Sequence, residues 1–341
     1  MAEVTISGFI DQAYNTQRTT TALGVSSTVT SIGNNAIGQD SLGFAVSEDL
    51  GNGITAFGAI NFIMNTTTGS GAVTTDNGSG IGVKGAFGTL GFGQGYSLVW
   101  KTSQMSDASG WGTGVGNVHN VGVGANGGNG IGYTLPEFVP GLSLSVEKAQ
   151  GETASRQGDY QGLQATYTTG GFLASYATGQ YKALGTGVWA ATAENGTGSA
   201  IAASVGEWTV IPGVSAAGTA TTEAVTAGSK SSITAIALSY DFGAAKVFGG
   251  YNTNQSGGNT NQTANSSTFG LTVPFGAVSV GIAASQANHS SSAADNTATG
   301  VRLLGKYAFS KRTNAYIQYG KASVSGGQTA TGNGIGLTHS F

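Results

Sequence analysis

Along this chain the side chains change character at every second position. Val4, Ile6, Gly8 and Ile10 alternate with Thr5, Ser7, Phe9 and Asp11 near the start. Leu142, Leu144 and Val146 alternate with Ser143, Ser145 and Glu147, and Ile236, Leu238, Tyr240 and Phe242 with Ala237, Ser239 and Asp241. At the end Ile335, Leu337, His339 and Phe341 stand opposite Thr338 and Ser340. A period of two predicts strands with one apolar face and one small or polar face. There is no run of 18 or more apolar residues, so no membrane helix is predicted.

Breaks in the alternation divide the strands into hairpins. Short connections are predicted at 51–53, 87–88, 136–141, 169–171, 242–244, 274–276 and 310–312. Long stretches rich in Thr, Ser, Asn and Gly occupy roughly 15–38, 65–78, 98–127, 151–158, 183–231, 254–265, 288–297 and 324–332. Short and long connections alternate, which gives the sheet one tidy and one shaggy end. Two strands for each short turn, with the first and last strand added, make sixteen. The expected fold is all-β, with 1–341 forming a single domain.

Composition decides what the apolar face meets. Charged residues are 9% of the chain, against ~25% in an ordinary soluble domain. The polar face is therefore Ser, Thr, Gly, Asn and Gln rather than the Lys and Glu of a soluble sandwich. In a transmembrane barrel, strands of ~9–11 residues turn alternate side chains to lipid and to a watery lumen. Lys84, Arg302 and Lys306 all fall on the polar parity, as a lumen requires, because a Lys or Arg at the lipid midplane costs ~2–4 kcal/mol. Lys148 and Lys321 fall on the apolar parity, but at strand ends beside long loops, where they snorkel. Aromatics near strand ends (Tyr14, Phe62, Phe87, Tyr96, Tyr167, Phe242, Tyr251, Phe309 and Phe341) fit interfacial girdles. An even number of strands lets the last pair with the first and leaves no open edge in lipid.

The remaining chemistry is mostly exclusion. A formal charge of −3 speaks against a nucleic-acid partner. The absence of Cys rules out thiolate metal sites and Cys nucleophiles. The three His are scattered, so neither a metal nor a cofactor is expected. Met1-Ala2-Glu3 leads directly into alternation. A mature secreted chain with an added initiator Met reads this way, and so does a cytosolic one.

These stretches together resemble a Gram-negative general porin of the β-proteobacterial type. The resemblance is carried by Val4 to Gly8, Leu42-Gly-Phe44 followed by Ser47 to Gly53, and Phe87 to Gly93. It continues through Leu238 to Gly243, Ala245 to Tyr251, Lys306 to Thr313 and Gly334 to Phe341. It spans nearly the whole chain in order and is weakest in 98–127 and 183–231. It implies a sixteen-stranded antiparallel barrel with short periplasmic turns and long extracellular loops, standing in the bacterial outer membrane against lipid. It further implies a homotrimer and a third long loop, 98–127, folded into the lumen. Terminal Phe341, with Leu337 and Ile335 before it, resembles the signal read by the barrel-assembly machinery.

Departures from the family pattern bear on function. Where such porins carry basic residues around the Leu-Gly-Phe motif, this chain has Ser41 and Ala45, and Gln94 follows Gly93. The inward loop holds only Lys101, Asp107 and His119, and its usual Pro-Glu-Phe-Gly-Gly motif is missing. Pro136-Glu-Phe-Val139 lies in the next short turn and is not its equivalent. The expected lumen and constriction residues are Asp11, Ser41, Ala45, Lys84, Gln94, Lys101, Asp107, Glu147, Arg302 and Lys306. Near neutrality among them predicts weak ion selectivity and passive diffusion of ions and small hydrophilic solutes.

Two other classes compete with this reading. A barrel enzyme of phospholipase or protease type needs a converging His, Ser and acid. His289-Ser290-Ser291 is the nearest approach, in a Ser-rich stretch where such spacing arises by chance. A Gly/Ser/Thr-rich adhesin would show a short fixed repeat and lack the terminal aromatic signal. Glycine runs at 91–95 and 127–132 are not followed by a helix, so they are not nucleotide loops. The segment 183–231, with Trp189, Trp208 and Val210-Ile211-Pro212, is too apolar for a solvated loop. An extra hairpin, a fold over the mouth and a contact with a neighbouring subunit all fit it, and one of the last two is expected.

Overall fold

The computed structural model describes residues 3–34, 36–67, 78–107, 116–119, 126–150, 159–182, 187–188, 224–225, 230–257, 262–290 and 295–341. The first strands are β1 (Glu3–Thr20), β2 (Ser26–Asn34), β3 (Ser41–Gly51) and β4 (Ile54–Ile63). Next come β5 (Ser79–Gly85), β6 (Gly88–Tyr96), a short helix α1 (Leu98–Gln104), β7 (Asn126–Thr134) and β8 (Leu142–Ala149). They are followed by β9 (Asp159–Thr169), β10 (Phe172–Lys182) and a small separate pair, β11 (Gly187–Val188) with β12 (Ala224–Val225). The rest is β13 (Lys230–Asp241), β14 (Lys246–Gly257), β15 (Gln262–Phe275), β16 (Val278–Ser290), β17 (Asp295–Ala308), β18 (Thr313–Val324) and β19 (Thr329–Ser340).

One antiparallel sheet of 17 strands closes on itself. β10 pairs directly with β13, and β19 returns to β1 from Phe9↔Ser340 to Thr20↔Thr329. Both β2 and β3 pair with β1: β2 along Gln12 to Thr20, and β3 along Glu3 to Phe9. They are two halves of one stave, so the barrel has sixteen staves. Closure gives edge backbone groups a partner, without which each would be stranded in hydrocarbon at several kcal/mol.

The strand registers carry the alternation into space. On β17, Arg302 and Leu304 point inward and are buried, whereas Val301 and Leu303 point outward and are exposed. On β19, Ile335 and Leu337 face outward and Thr338 inward. On β13, Ile236, Leu238 and Tyr240 lie outside, with Ala235, Ala237 and Ser239 inside. The exposed apolar rows therefore form the outer surface, and the buried small and polar rows line the interior. Aromatic pairs mark one rim, Tyr240 with Phe242 at 4.5 Å and Tyr307 with Phe309 at 5.1 Å. Tyr96 is not in the girdle: its hydroxyl donates to Gln39 and its ring stacks on Trp100 of α1.

The seven short connections fall where the pattern predicts. Several of the expected long ones do not. Residues 15–38 contain the last third of β1, a turn at 21–25 and all of β2; 254–265, 288–297 and 324–332 are likewise mostly strand. Their Thr and Ser look like loop residues in sequence. Paired across strands they make hydroxyl contacts such as Thr16 to Thr30 at 3.2 Å and Thr20 to Ser26 at 2.9 Å. Above the apolar band, polar side chains cost a strand nothing on either face. Of 183–231, only β11, β12 and the start of β13 lie within the described residues, so the expectation for its Trp and Pro lies outside them.

Candidate functional site: two elements inside the lumen

The first element begins with α1. Ser97 caps it, its hydroxyl accepting from the Trp100 amide at 3.1 Å. The Glu147 carboxylate accepts from the Leu98 amide at 2.6 Å, which satisfies a helix-end donor with a negative charge. Leu98, Val99 and Trp100 pack against Ala149, Tyr160, Ala177, Tyr181, Ile233 and Ala235. Gln164 donates to Thr102 at 2.8 Å, and Thr102 meets the Ser175 hydroxyl at 3.1 Å. All of these wall residues occupy inward positions, so α1 lies against the inner faces of β8, β9, β10 and β13. Tyr160, Tyr181 and Ile233 break the rule of a polar lumen face because they form the bed of this helix. That break is a signal sequence reading missed.

After Asp107 the chain is described again at 116–119, farther round the wall. The Ser285 hydroxyl donates to the Gly116 carbonyl and accepts from the Val118 amide, both at 3.2 Å. Val118 packs among Ala287, Ala298 and Ala322. The His119 carbonyl accepts from Asn252 at 2.7 Å and from the Ser266 hydroxyl. The His119 ring lies between Asn117 Oδ1 at 2.5 Å and the Ser103 carbonyl at 3.4 Å. Burial holds its imidazole below the usual histidine range, and neighbouring Asp107 only partly opposes this.

The second element had no counterpart in the sequence reading. Between Asn34 and Ser41 the second stave is interrupted, and residues 36–40 turn into the lumen. The Asp11 carboxylate holds them: its Oδ2 accepts from the amides of Ile37 at 2.7 Å and Gly38 at 3.1 Å. The Asp11 amide in turn donates to Asp40 Oδ1 at 2.6 Å, and the Tyr316 hydroxyl donates to Asp11 Oδ1 at 2.6 Å. The Arg302 guanidinium donates to the Ala36 carbonyl at 2.9 Å and to Gln318 Oε1 at 3.0 Å. Thr66 donates to Asp40. Ala36 and Ile37 pack with Ala13, Leu304 and Tyr316. The Tyr316 ring reaches Asp11 by lying over Gly336, where an added Cβ would stand 2.4 Å from the ring.

The expected site residues thus have unlike environments. Asp11 and Arg302 are buried beneath 36–40, at 0% and 5% exposure, and Glu147 is covered by α1. Ser41 and Ala45 share the inward row of β3, opposite Phe9 and Thr5. Ala45 is exposed to the lumen, as is Lys84 near the tidy rim. Lys306 is inward and half-buried. Lys101 is exposed on α1, and Asp107 follows it, accepting from Asn117 at 3.4 Å. Gln94 lies on β6 in a disturbed stretch. It pairs with Ser79 on the register that puts Leu90 and Phe92 outward, one residue past Gly93, whose φ of +147° disturbs the strand. His289 and Ser290 lie on β16, where the Ser290 hydroxyl donates to Asp295 at 2.7 Å.

With this geometry in view, comparison with known proteins identifies the architecture. A family model described as Gram-negative porin matches residues 1–327. The major outer membrane protein P.IB of Neisseria gonorrhoeae is 27% identical over 356 aligned positions, covering 100% of this chain and 95% of that protein. The solved anion-selective porin from Comamonas acidovorans superposes with a TM-score of 0.75 at 21% identity, covering 100% of both chains. Salmonella typhi OmpF in complex with daunomycin superposes at 0.66 and 13% identity, covering 99% of this chain and 97% of that one.

Proposed function

The chain belongs to the Gram-negative porin family and is an outer-membrane channel for passive diffusion; on that premise we propose that it discriminates weakly between ions of opposite sign. One observation carries this reading. The charges that would set a strong field are spent on structure, since Asp11 and Arg302 bind one internal segment and Glu147 binds α1. Among the described residues, what remains toward water is a sparse set of both signs, including Lys84, Lys101, Lys246 and Lys306 with Asp107 and Asp241, against walls of Ser, Thr, Ala and Gly. A lumen of this kind lets ions and small neutral or zwitterionic solutes pass down their gradients without a tight binding step.

Three parts of the reading go with it. The loop 98–127 acts as a constriction, supported by the seating of α1 on the inner wall. The working unit is a homotrimer, in keeping with the family. The terminal Phe341, Leu337 and Ile335 serve as the signal for the barrel-assembly machinery; all three point outward at the closing seam.

The test is a reversal potential across a salt gradient with the purified protein in planar bilayers. A permeability ratio for the two ions within ~10 supports weak selectivity, and a larger ratio overturns it. Crosslinking in detergent, with a trimer band expected and a lone monomer band refuting it, tests the assembly.

A further inference from the structure

The interruption of the second stave has an arithmetic consequence. Between Gln12 and Phe9, β1 has two residues, Ile10 and Asp11, whereas the facing stave has six between Asn34 and Ser41. The excess chain has to leave the sheet. It leaves on the inner side, because the groups that receive it (Asp11, Ala13, Arg302, Leu304 and Tyr316) are all on inward rows.

An ordinary bulge adds one residue and re-aims a strand. This segment does something else. It spans from β1 across to β17, four staves away from the β2–β3 stave to which it is covalently joined, and is held at both ends of that span. Asp11 grips its amides from β1, and Arg302 grips its Ala36 carbonyl from β17. Gly334 and Gly336 stand on the inward row of β19 and leave room there for the Asn15 side chain and for the Tyr316 ring that reaches Asp11.

We propose that residues 36–40 form a second constriction element, which works with the third loop to push the conducting path against the wall of β3 to β6. This rests on the channel reading above. The described parts of the third loop cover inward positions from β8 to β18, and 36–40 covers those from β17 to β1. On the remaining wall Thr5, Ser7, Ala45 and Lys84 stay exposed. Arg302 is then a positioning residue that fixes 36–40, and the charge it adds to the path is small. Lys84, Lys101 and Lys306 are among the described cations that passing solutes meet.

The test uses full-length protein in planar bilayers. Replacing residues 35–40 by Ser-Val gives the second stave the length its register demands. The expected result is a single-channel conductance higher by about 1.5-fold or more, with faster uptake of larger sugars in liposome swelling. An unchanged conductance overturns the proposal. If that variant does not fold, Arg302→Gln and Lys306→Gln decide the matter. Arg302→Gln should raise open-channel current noise and shift the reversal potential less than Lys306→Gln does. Equal shifts with unaltered noise place Arg302 on the path and refute the clamp. Absence of any ion current from the unaltered chain defeats the channel reading itself, an outcome distinct from either.

Discussion

The ring of Phe341 lies over the Cα of Gly8, and the two residues exchange both backbone hydrogen bonds at 3.0 Å. The last residue of the chain thus closes the barrel against the first strand. A Cβ at Gly8 would stand 2.2 Å from the ring, so the fit needs a residue without one. Gly8→Val should force the ring aside and cost ~1–3 kcal/mol by overpacking. Heat-modifiability on gels should show the folded band lost at a lower temperature than in the unaltered protein; an unshifted transition contradicts the seam described here.

Glu147 anchors the third loop through the Leu98 amide. Glu147→Ala strands that donor under α1 and should weaken the docking of the helix by ~1–3 kcal/mol. The barrel itself should persist, because none of its ladder bonds involves the carboxylate. Single-channel records are the measurement, with more frequent transient closures expected. Records as quiet as the parent's would mean that α1 is held by its apolar face alone.

His119 predicts an acid sensitivity. Its imidazole is held below the ordinary value by burial, so the folded loop binds fewer protons than the undocked loop. Docking is at full strength above pH ~6.5 and weakens as the pH falls from there toward the lowered value. Current noise should rise on acidification through that window, and His119→Gln should abolish the rise. Identical pH profiles for the two proteins would remove His119 from this role.

Neighbouring faces of the same wall should respond oppositely to added charge. Leu303→Lys puts an ammonium in the outward apolar band and should cost ~2–4 kcal/mol in folded barrel. Ala45→Lys adds the same charge to the lumen, where it should leave thermal stability nearly untouched and move the reversal potential toward anion preference. Equal destabilisation by both would contradict the assignment of faces.

Some of this was readable along the chain. The alternation at 142–147, 236–242 and 335–341 is a property of adjacent residues, and it survives whatever register the strands adopt. The same local logic put Lys84, Arg302 and Lys306 inside and let Lys148 and Lys321 stay outside at strand ends. It overestimated the loops at 15–38 and 324–332, because Thr and Ser read alike in a turn and in a strand that has risen above the apolar band. It also missed the bed of α1, since Tyr160 and Tyr181 resemble ordinary strand aromatics until the helix is laid on them.

By itself the sequence determined the strand class, the outward and inward rows, and the count of staves, since a period of two and a spacing of turns are local facts. Only closure decided which inward groups meet. Tyr316 reaches Asp11 across 305 residues, and Arg302 reaches Ala36 across 266. Nothing near Asp11 in the chain announces either partner. Their encounter depends on the register of β17, β18, β19 and β1 taken together, and that register exists only when the cylinder is complete.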